Sequence, residues 1–216
     1  MKLKEFNSLI DLFFYQAEKK NPKDIFLEWL NVENKKKFSW SETTSNIFKF
    51  SKVLKNYVKE GDRVLLVSEN RPEWLIADLA IMLSKAITVP AYTTYTEKDY
   101  KYLIDDCTPV VVIISNNEIH KKLEKIINEK KFIKKIITFD SVSSVDKSKY
   151  VKFNSIIKNN LDELDKVKNI NLSRITPACI IYTSGTGGNP KGVILSHGGI
   201  LNNIEGALEI LKPLND

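Results

Sequence analysis

Cysteine and histidine are scarce in this 216-residue chain, which holds two of each: Cys107, Cys179, His120 and His197. Neither cysteine has a His or a second Cys near it in sequence, so a disulfide framework and a metal site of Cys/His spacing are both unsupported. Reduced, buried thiols in a cytosolic protein are the expectation. Long apolar runs are missing as well. The longest, residues 74–92, is broken by Asp78, Lys85 and Pro90, which fits a buried helix followed by a strand and not a membrane span. The first residues pass through Lys2, Lys4, Glu5, Asn7 and Asp11 without an apolar stretch, so no secretory signal is expected. No segment repeats at a fixed period.

What is present suits a packed domain. Apolar residues make up 43% of the chain, ample for a core at this length. The formal net charge is +6, but the lysines alternate with acids instead of gathering on one face, so a nucleic-acid partner is not expected. Lys125, Lys130, Lys131, Lys134 and Lys135 form the densest basic cluster. Glu124 and Glu129 interrupt it, and Phe132 is its one aromatic; it leaves room for peripheral contact with a membrane surface and points to nothing more specific.

Periodicity divides the chain into alternating elements. Residues 7–19 carry Leu9, Leu12, Phe13 and Ala17 at helical spacing, ended by Asn21 and Pro22. Residues 25–30 and 37–40 read as the strands of a hairpin, and Ser41 reads as the cap of a helix running to about residue 58, with Gly61 beyond its end. Then come strand 63–68, helix 73–85, strand 87–91, helix 97–106, strand 110–115, helix 117–129 and strand 134–139. The run Val110 to Ile114 is continuously β-branched, as in a strand buried on both faces. This alternation predicts an α/β fold with a doubly wound, mostly parallel sheet flanked by helices. Residues 140–149 read as an exposed loop, and 151–173, with five asparagines, as one or two weak helices. A strand over 178–182, a short one over 192–195 and a last helix capped by Ser196 follow. That helix sets Ile200, Leu201, Ile204, Leu208 and Leu211 on one face and is closed by Pro213.

Residues 180–193 read I-I-Y-T-S-G-T-G-G-N-P-K-G-V, an apolar strand opening into a glycine and hydroxyl loop that ends on a lysine. Glycines bring backbone N–H groups close to an anion, Thr183, Ser184 and Thr186 add hydroxyl donors, and Lys191 adds a mobile positive charge. Such a loop suits the polyphosphate of a nucleotide. A Walker A loop would set a Gly before the lysine and a Ser or Thr after it; Pro190 and Gly192 stand there instead. The dinucleotide pattern G-x-G-x-x-G fails because Pro190 occupies its third glycine position.

At these residues the chain resembles the adenylate-forming superfamily, whose usual loop is Y-T-S-G-T-T-G-x-P-K-G-V. One fixed position differs, Gly187 for the second Thr, which removes one hydroxyl and adds backbone freedom. A second segment, residues 61–74 reading G-D-R-V-L-L-V-S-E-N-R-P-E-W, followed by Ile76 to Ala80, is similar to the N-R-P-E-W segment of long-chain fatty-acyl-CoA synthetases. Residues 85–92, K-A-I-T-V-P-A-Y, fit the next segment of that group. The resemblance implies the first part of the large N-terminal domain of such an enzyme, with residues 1–171 as a first α/β subdomain and 172–216 as the start of a second. It implies phosphate contacts by Thr183, Ser184, Gly185, Thr186, Gly187, Gly188 and Lys191, and use of ATP, magnesium, coenzyme A and a fatty acid. The family's later motifs, which serve adenine, ribose, magnesium and the catalytic lysine, have no counterpart in the roughly two dozen residues after Lys191. A front portion of a ligase, inactive without a missing C-terminal portion, is therefore expected; the alternative is a non-catalytic module that binds a nucleotide or a partner chain.

Other residues have plainer readings. Asn70, Pro72 and Glu73 suit a helix cap, a first-turn proline and a first-turn acid. His120 reads as structural or solvated. His197 is either a helix-start packing residue or a pH-sensitive contact. Trp74 and Tyr92 read as core aromatics that could instead line an acyl pocket. Asp78, a carboxylate in an apolar helix, calls for a cation.

Overall fold

The computed structural model describes residues 2–30, 36–143, 146–158, 171–183 and 189–211. Its centre is a seven-stranded sheet of β3 (Arg63–Val67), β4 (Ile87–Ala91), β5 (Val111–Ile114), β6 (Lys135–Thr138), β7 (Tyr150–Lys152), β8 (Pro177–Thr183) and β9 (Lys191–Ser196). The spatial order is β7-β6-β5-β3-β4-β8-β9. Every pairing is parallel except that of β9, which returns antiparallel beside β8. From β3 the chain steps outward to β4, crosses to β5, β6 and β7, and then comes back to lay β8 against β4. The expected doubly wound sheet is present.

Side chains alternate between two cores. Val64 and Leu66 point to the face covered by α1 (Leu9–Lys19), α2 (Trp40–Leu54), α3 (Pro72–Leu83) and α6 (Phe153–Lys158). Leu65 and Val67 point to the face covered by α4 (Glu97–Cys107) and α5 (Asn117–Glu129). Because Val111 to Ile114 lie between both layers, all four are buried, which is why the strand carries no polar alternation. A small hairpin of β1 (Ile25–Glu28) and β2 (Lys37–Ser39) stands apart from the sheet. It is fixed by the stacking of Phe26 on Trp40, ring centres 3.8 Å apart.

Several boundaries differ from the sequence expectation. Ser39, not Ser41, caps α2: its Oγ accepts from the Glu42 N–H at 3.2 Å, and the Glu42 carboxylate accepts from the Ser39 N–H at 2.8 Å. That reciprocal pair starts the helix at Trp40 and frees its indole to stack. The helix ends at Leu54, and the turn after it uses Gly61 at φ +81°, a conformation costly for any side chain. Asn70 does not cap α3; Arg71 holds the cap position in extended form with no side-chain cap bond, because a guanidinium has donors only and cannot accept from the first-turn N–H groups; it turns instead to carboxylates. Residues 150–152 form a strand paired to β6 where weak helix was expected, too short for any period to show. Of the last helix, α7 (His197–Leu211), only Leu201 of the expected apolar face is buried, while Leu208 and Leu211 are exposed. Pro213 lies outside the described residues.

Candidate phosphate-binding hairpin

Carboxyl ends of the parallel strands share one edge of the sheet, the edge where open α/β sheets bind their ligands. Strand β8 delivers Thr183 to that edge, and β9 leaves it from Lys191. The two residues are directly paired across the antiparallel ladder, followed inward by Tyr182 with Gly192 and Ile181 with Val193. Both Thr183 and Lys191 are exposed. Of the seven residues expected to touch phosphate, these two are brought together at the root of the loop; Ser184, Gly185, Thr186, Gly187 and Gly188 lie outside the described residues.

Gly192 has a steric reason to be glycine. A Cβ there would stand 2.9 Å from Ile180 Cγ2 and 3.2 Å from the Tyr182 ring. The Tyr182 ring lies over the glycine, and its hydroxyl donates to the Asp106 carboxylate of α4 at 2.5 Å. Burial, and then the hydrogen bond to Asp106, hold that phenol protonated, well above its ordinary range. Four residues earlier on α4, the Tyr102 hydroxyl donates to the Pro190 carbonyl at 2.9 Å. Spacing of four puts Tyr102 and Asp106 on one helix face, so the same face meets both sides of the hairpin. No local pattern marks either residue, because their partners lie 88 and 76 positions away in sequence.

After β9 the chain turns at once into α7. Ser196 caps it as expected, its Oγ accepting from the Gly199 N–H at 3.1 Å. His197 is buried, and its Nδ1 accepts from the Leu9 N–H at 3.3 Å. Burial lowers its pKa to about 4, so it is neutral at physiological pH and serves packing, not pH sensing. Arg174 reinforces the join by donating to the Phe6 carbonyl at 2.7 Å and to Asn202 Oδ1 at 2.6 Å.

A second polar group sits on the same edge. Arg71, buried, donates to both Glu73 oxygens at 2.9 and 3.1 Å and to both Asp140 oxygens at 2.9 and 3.0 Å. Lys36 adds a 2.7 Å contact to Glu73, and the guanidinium stacks on Trp29, 4.6 Å from its ring centre. Burial alone would raise the Glu73 carboxyl, but hydrogen bonds from Arg71 and Lys36 outweigh it and hold it below the usual carboxylate range. With its guanidinium filled by two carboxylates, Arg71 locks the loop after β3 to the end of β6 and is not free to bind an anion. Glu73 is thus an ion-pair partner and not merely a first-turn acid.

Other sequence readings resolve as follows. Tyr92, at the end of β4, is 67% exposed and so is not a core residue, whereas Trp74 is half-buried against the first core. His120 is buried with Nε2 2.8 Å from the Tyr150 hydroxyl, a structural role. No ion pair of Asp78 occurs among the described residues; burial, offset in part by the Thr88 hydroxyl, raises its carboxyl to about 6. In place of the expected cation, the raised carboxyl takes up a proton as the pH falls toward 6. Cys107 is buried as expected and Cys179 half-buried, and burial pushes the two thiols up to about 12 and about 11. Among the described residues no three His, Cys, Asp or Glu side chains group as a metal site, and no helix is long and apolar enough to cross a membrane.

Comparison with known proteins gives the hairpin its context. Residues 13–214 match the family described as AMP-binding enzyme. The chain is similar to fatty acyl-CoA synthetase A of Dictyostelium discoideum, with 28% identity over 69% of this chain and 23% of that protein. It is similar to long chain acyl-CoA synthetase 1 of Arabidopsis thaliana, with 27% identity over 94% of this chain and 32% of that protein. Among solved structures, the luciferase-like enzyme of the Zophobas morio mealworm superposes with a TM-score of 0.78 at 22% identity, covering 94% of this chain and 45% of that one. Acetoacetyl-CoA synthetase of Streptomyces lividans superposes with a TM-score of 0.80 at 16% identity, covering 93% and 32%. These structural likenesses speak for the fold. The chain spans 23% and 32% of the length of these two curated relatives.

Proposed function

The chain belongs to the AMP-binding enzyme family, and from that premise we propose that it supplies the polyphosphate-holding hairpin of a ligase that activates a long-chain fatty acid with ATP and passes the acyl group to coenzyme A. One observation carries this reading: Thr183 and Lys191 are paired at the carboxyl edge of a parallel sheet, at the root of a glycine and hydroxyl loop. In the proposed reaction the fatty-acid carboxylate attacks the α-phosphorus of ATP, forming an acyl-adenylate, and pyrophosphate departs. Thr183 donates a hydroxyl to the phosphates, and Lys191 offsets the charge that gathers on the leaving pyrophosphate. The five loop residues between 184 and 188 add backbone N–H and hydroxyl donors by the same chemistry. Magnesium would travel with the nucleotide phosphates; the described residues offer no ligand set for it, and no step is routed through it.

Long-chain acyl specificity is supported by the names of the curated relatives, among them long-chain-fatty-acid–CoA ligase 6 of Homo sapiens. We assign residues 1–171 to a first α/β subdomain and 172–216 to the opening of a second, and the contacts to adenine, ribose and coenzyme A to segments outside this chain. The second reading, a module that binds a partner chain, is favoured by the exposed apolar residues Val193, Ile194 and Leu195 along β9.

Pyrophosphate release from ATP, magnesium and palmitate tests the proposal. It is measured for this chain alone and together with a polypeptide carrying the remaining two thirds of a long-chain acyl-CoA synthetase. Release by the pair only, abolished by Lys191→Ala, is the expected result. Release unaffected by Lys191→Ala, or absent in a well-folded pair, contradicts it.

A further inference from the structure

Helix α4 touches the phosphate hairpin twice, and both contacts are polar. The Tyr102 hydroxyl reaches the Pro190 carbonyl, one residue before Lys191, and Asp106 receives the hydroxyl of Tyr182, one residue before Thr183. Since α4 runs back along the sheet from the end of β4, Tyr102 stands nearer the ligand edge and Asp106 one turn deeper. Each contact precedes by a single residue one of the two exposed side chains expected to meet phosphate. Among the described residues β9 has no neighbour on its outer side, so the hairpin joins the sheet through β8 alone, whose register with β4 is set by the pair Thr88 and Cys179.

A hairpin joined to the sheet along one side only leaves its outer strand and loop free to shift, and a misplaced charge costs much of its effect. The α4 face supplies what the ladder lacks. The helix is itself fixed: Thr96 and Asp99 form a capping box at its start. At its end Arg63 donates to the Cys107 carbonyl at 2.8 Å and to Thr108 Oγ1 at 2.7 Å. The ion pair of Lys130, at the end of α5, with Asp105 joins it to α5, and Lys101 pairs with the same carboxylate one turn earlier on α4 itself.

We propose that Tyr102 and Asp106 are positioning residues of the phosphate hairpin, clamping its incoming and outgoing strands to α4 and so fixing where Thr183 and Lys191 stand. This rests on the reading of the hairpin as a polyphosphate site, and it adds two residues that touch no ligand. The Tyr182 ring over Gly192 is the third part of the clamp, keeping the two strands in contact at the level of Asp106.

The test uses the full 216-residue chain with Tyr102→Phe, Asp106→Ala, Asp106→Asn and Lys191→Ala, reading Mg·ATP affinity and backbone amide exchange. Loss of one such hydrogen bond should weaken ATP binding roughly two- to tenfold in Tyr102→Phe and in Asp106→Ala. Asp106→Asn, which keeps an acceptor for Tyr182, should restore most of it. Amides of β8 and β9 should exchange several-fold faster in the two weakened variants while those of β3 and β5 keep their rates, a pattern general destabilisation would not give. Unchanged exchange in the hairpin overturns the clamp, as does unchanged ATP affinity in a background where Lys191→Ala lowers it. If Lys191→Ala binds ATP as tightly as the parent chain, the polyphosphate reading itself fails, and the exchange rates alone decide the clamp.

Discussion

Tyr182 and Gly192 face each other across the β8–β9 ladder so closely that the tyrosine ring occupies the space a side chain at 192 would need. The motif that reads as a phosphate loop is thus also a packing unit. Its tyrosine and its last glycine have a structural reason to occur together, one on each strand, with the loop between them.

Gly192→Ala should therefore disturb the hairpin before it disturbs any ligand. A methyl group 2.9 Å from Ile180 Cγ2 forces the strands apart at a cost of about 1–3 kcal/mol. Urea unfolding of the variant should show a lowered midpoint, and amide exchange should locate the loosening in β8 and β9.

Arg71→Leu should be far more damaging than a surface change, although it replaces a charge with an apolar group. It leaves Glu73 buried beside Lys36 alone and Asp140 without its bidentate partner. Removing one member of a buried ion group typically costs about 3–5 kcal/mol. Arg71→Lys should recover only part of this, because an ammonium cannot span both carboxylates. Chemical denaturation of the two variants distinguishes them.

Acid stability should reflect two groups that oppose each other. His197, lowered to about 4 by burial, refuses a proton that the unfolded chain accepts near pH 6.5, so it withdraws stability as pH falls through that window. Asp78, raised to about 6 by burial, accepts a proton that the unfolded chain declines until about pH 3.9, so it adds stability as pH falls. Their slopes cancel between about pH 6 and 4. Asp78→Asn should remove the compensation, leaving stability to fall by about 1.4 kcal/mol per pH unit over that range. Denaturation midpoints at pH 6, 5 and 4 for both proteins check it.

Thiol chemistry gives a simpler check. With Cys107 and Cys179 pushed up to about 12 and about 11 by burial, both remain protonated at neutral pH. Reaction with a disulfide reagent should be slow in the folded chain and reach two equivalents rapidly in urea.

The architecture was legible because its strongest signals are local. The β-branched run at Val111 to Ile114 and the helix–strand alternation from residue 63 to 139 specify a parallel sheet without reference to distant contacts. Ser39 was missed in favour of Ser41 because either serine could cap, and only the reciprocal bond with Glu42 decides. Strand β7 was missed because three residues carry no period. Arg71 and Asp140 are 69 residues apart and meet only once β3 and β6 are aligned, so no spacing could announce their pairing. The same holds for Tyr102 with Pro190 and Asp106 with Tyr182: the loop's identity was written in its own residues, its anchorage on another helix.

The most direct measurement is a titration of the isotope-labelled chain with inorganic pyrophosphate, following backbone amide chemical shifts. Saturable shifts concentrated between residues 183 and 191, weakened roughly tenfold or more by Lys191→Ala, are what the account predicts. Shifts scattered over the lysine-rich surface, or a titration that Lys191→Ala leaves unchanged, would contradict it.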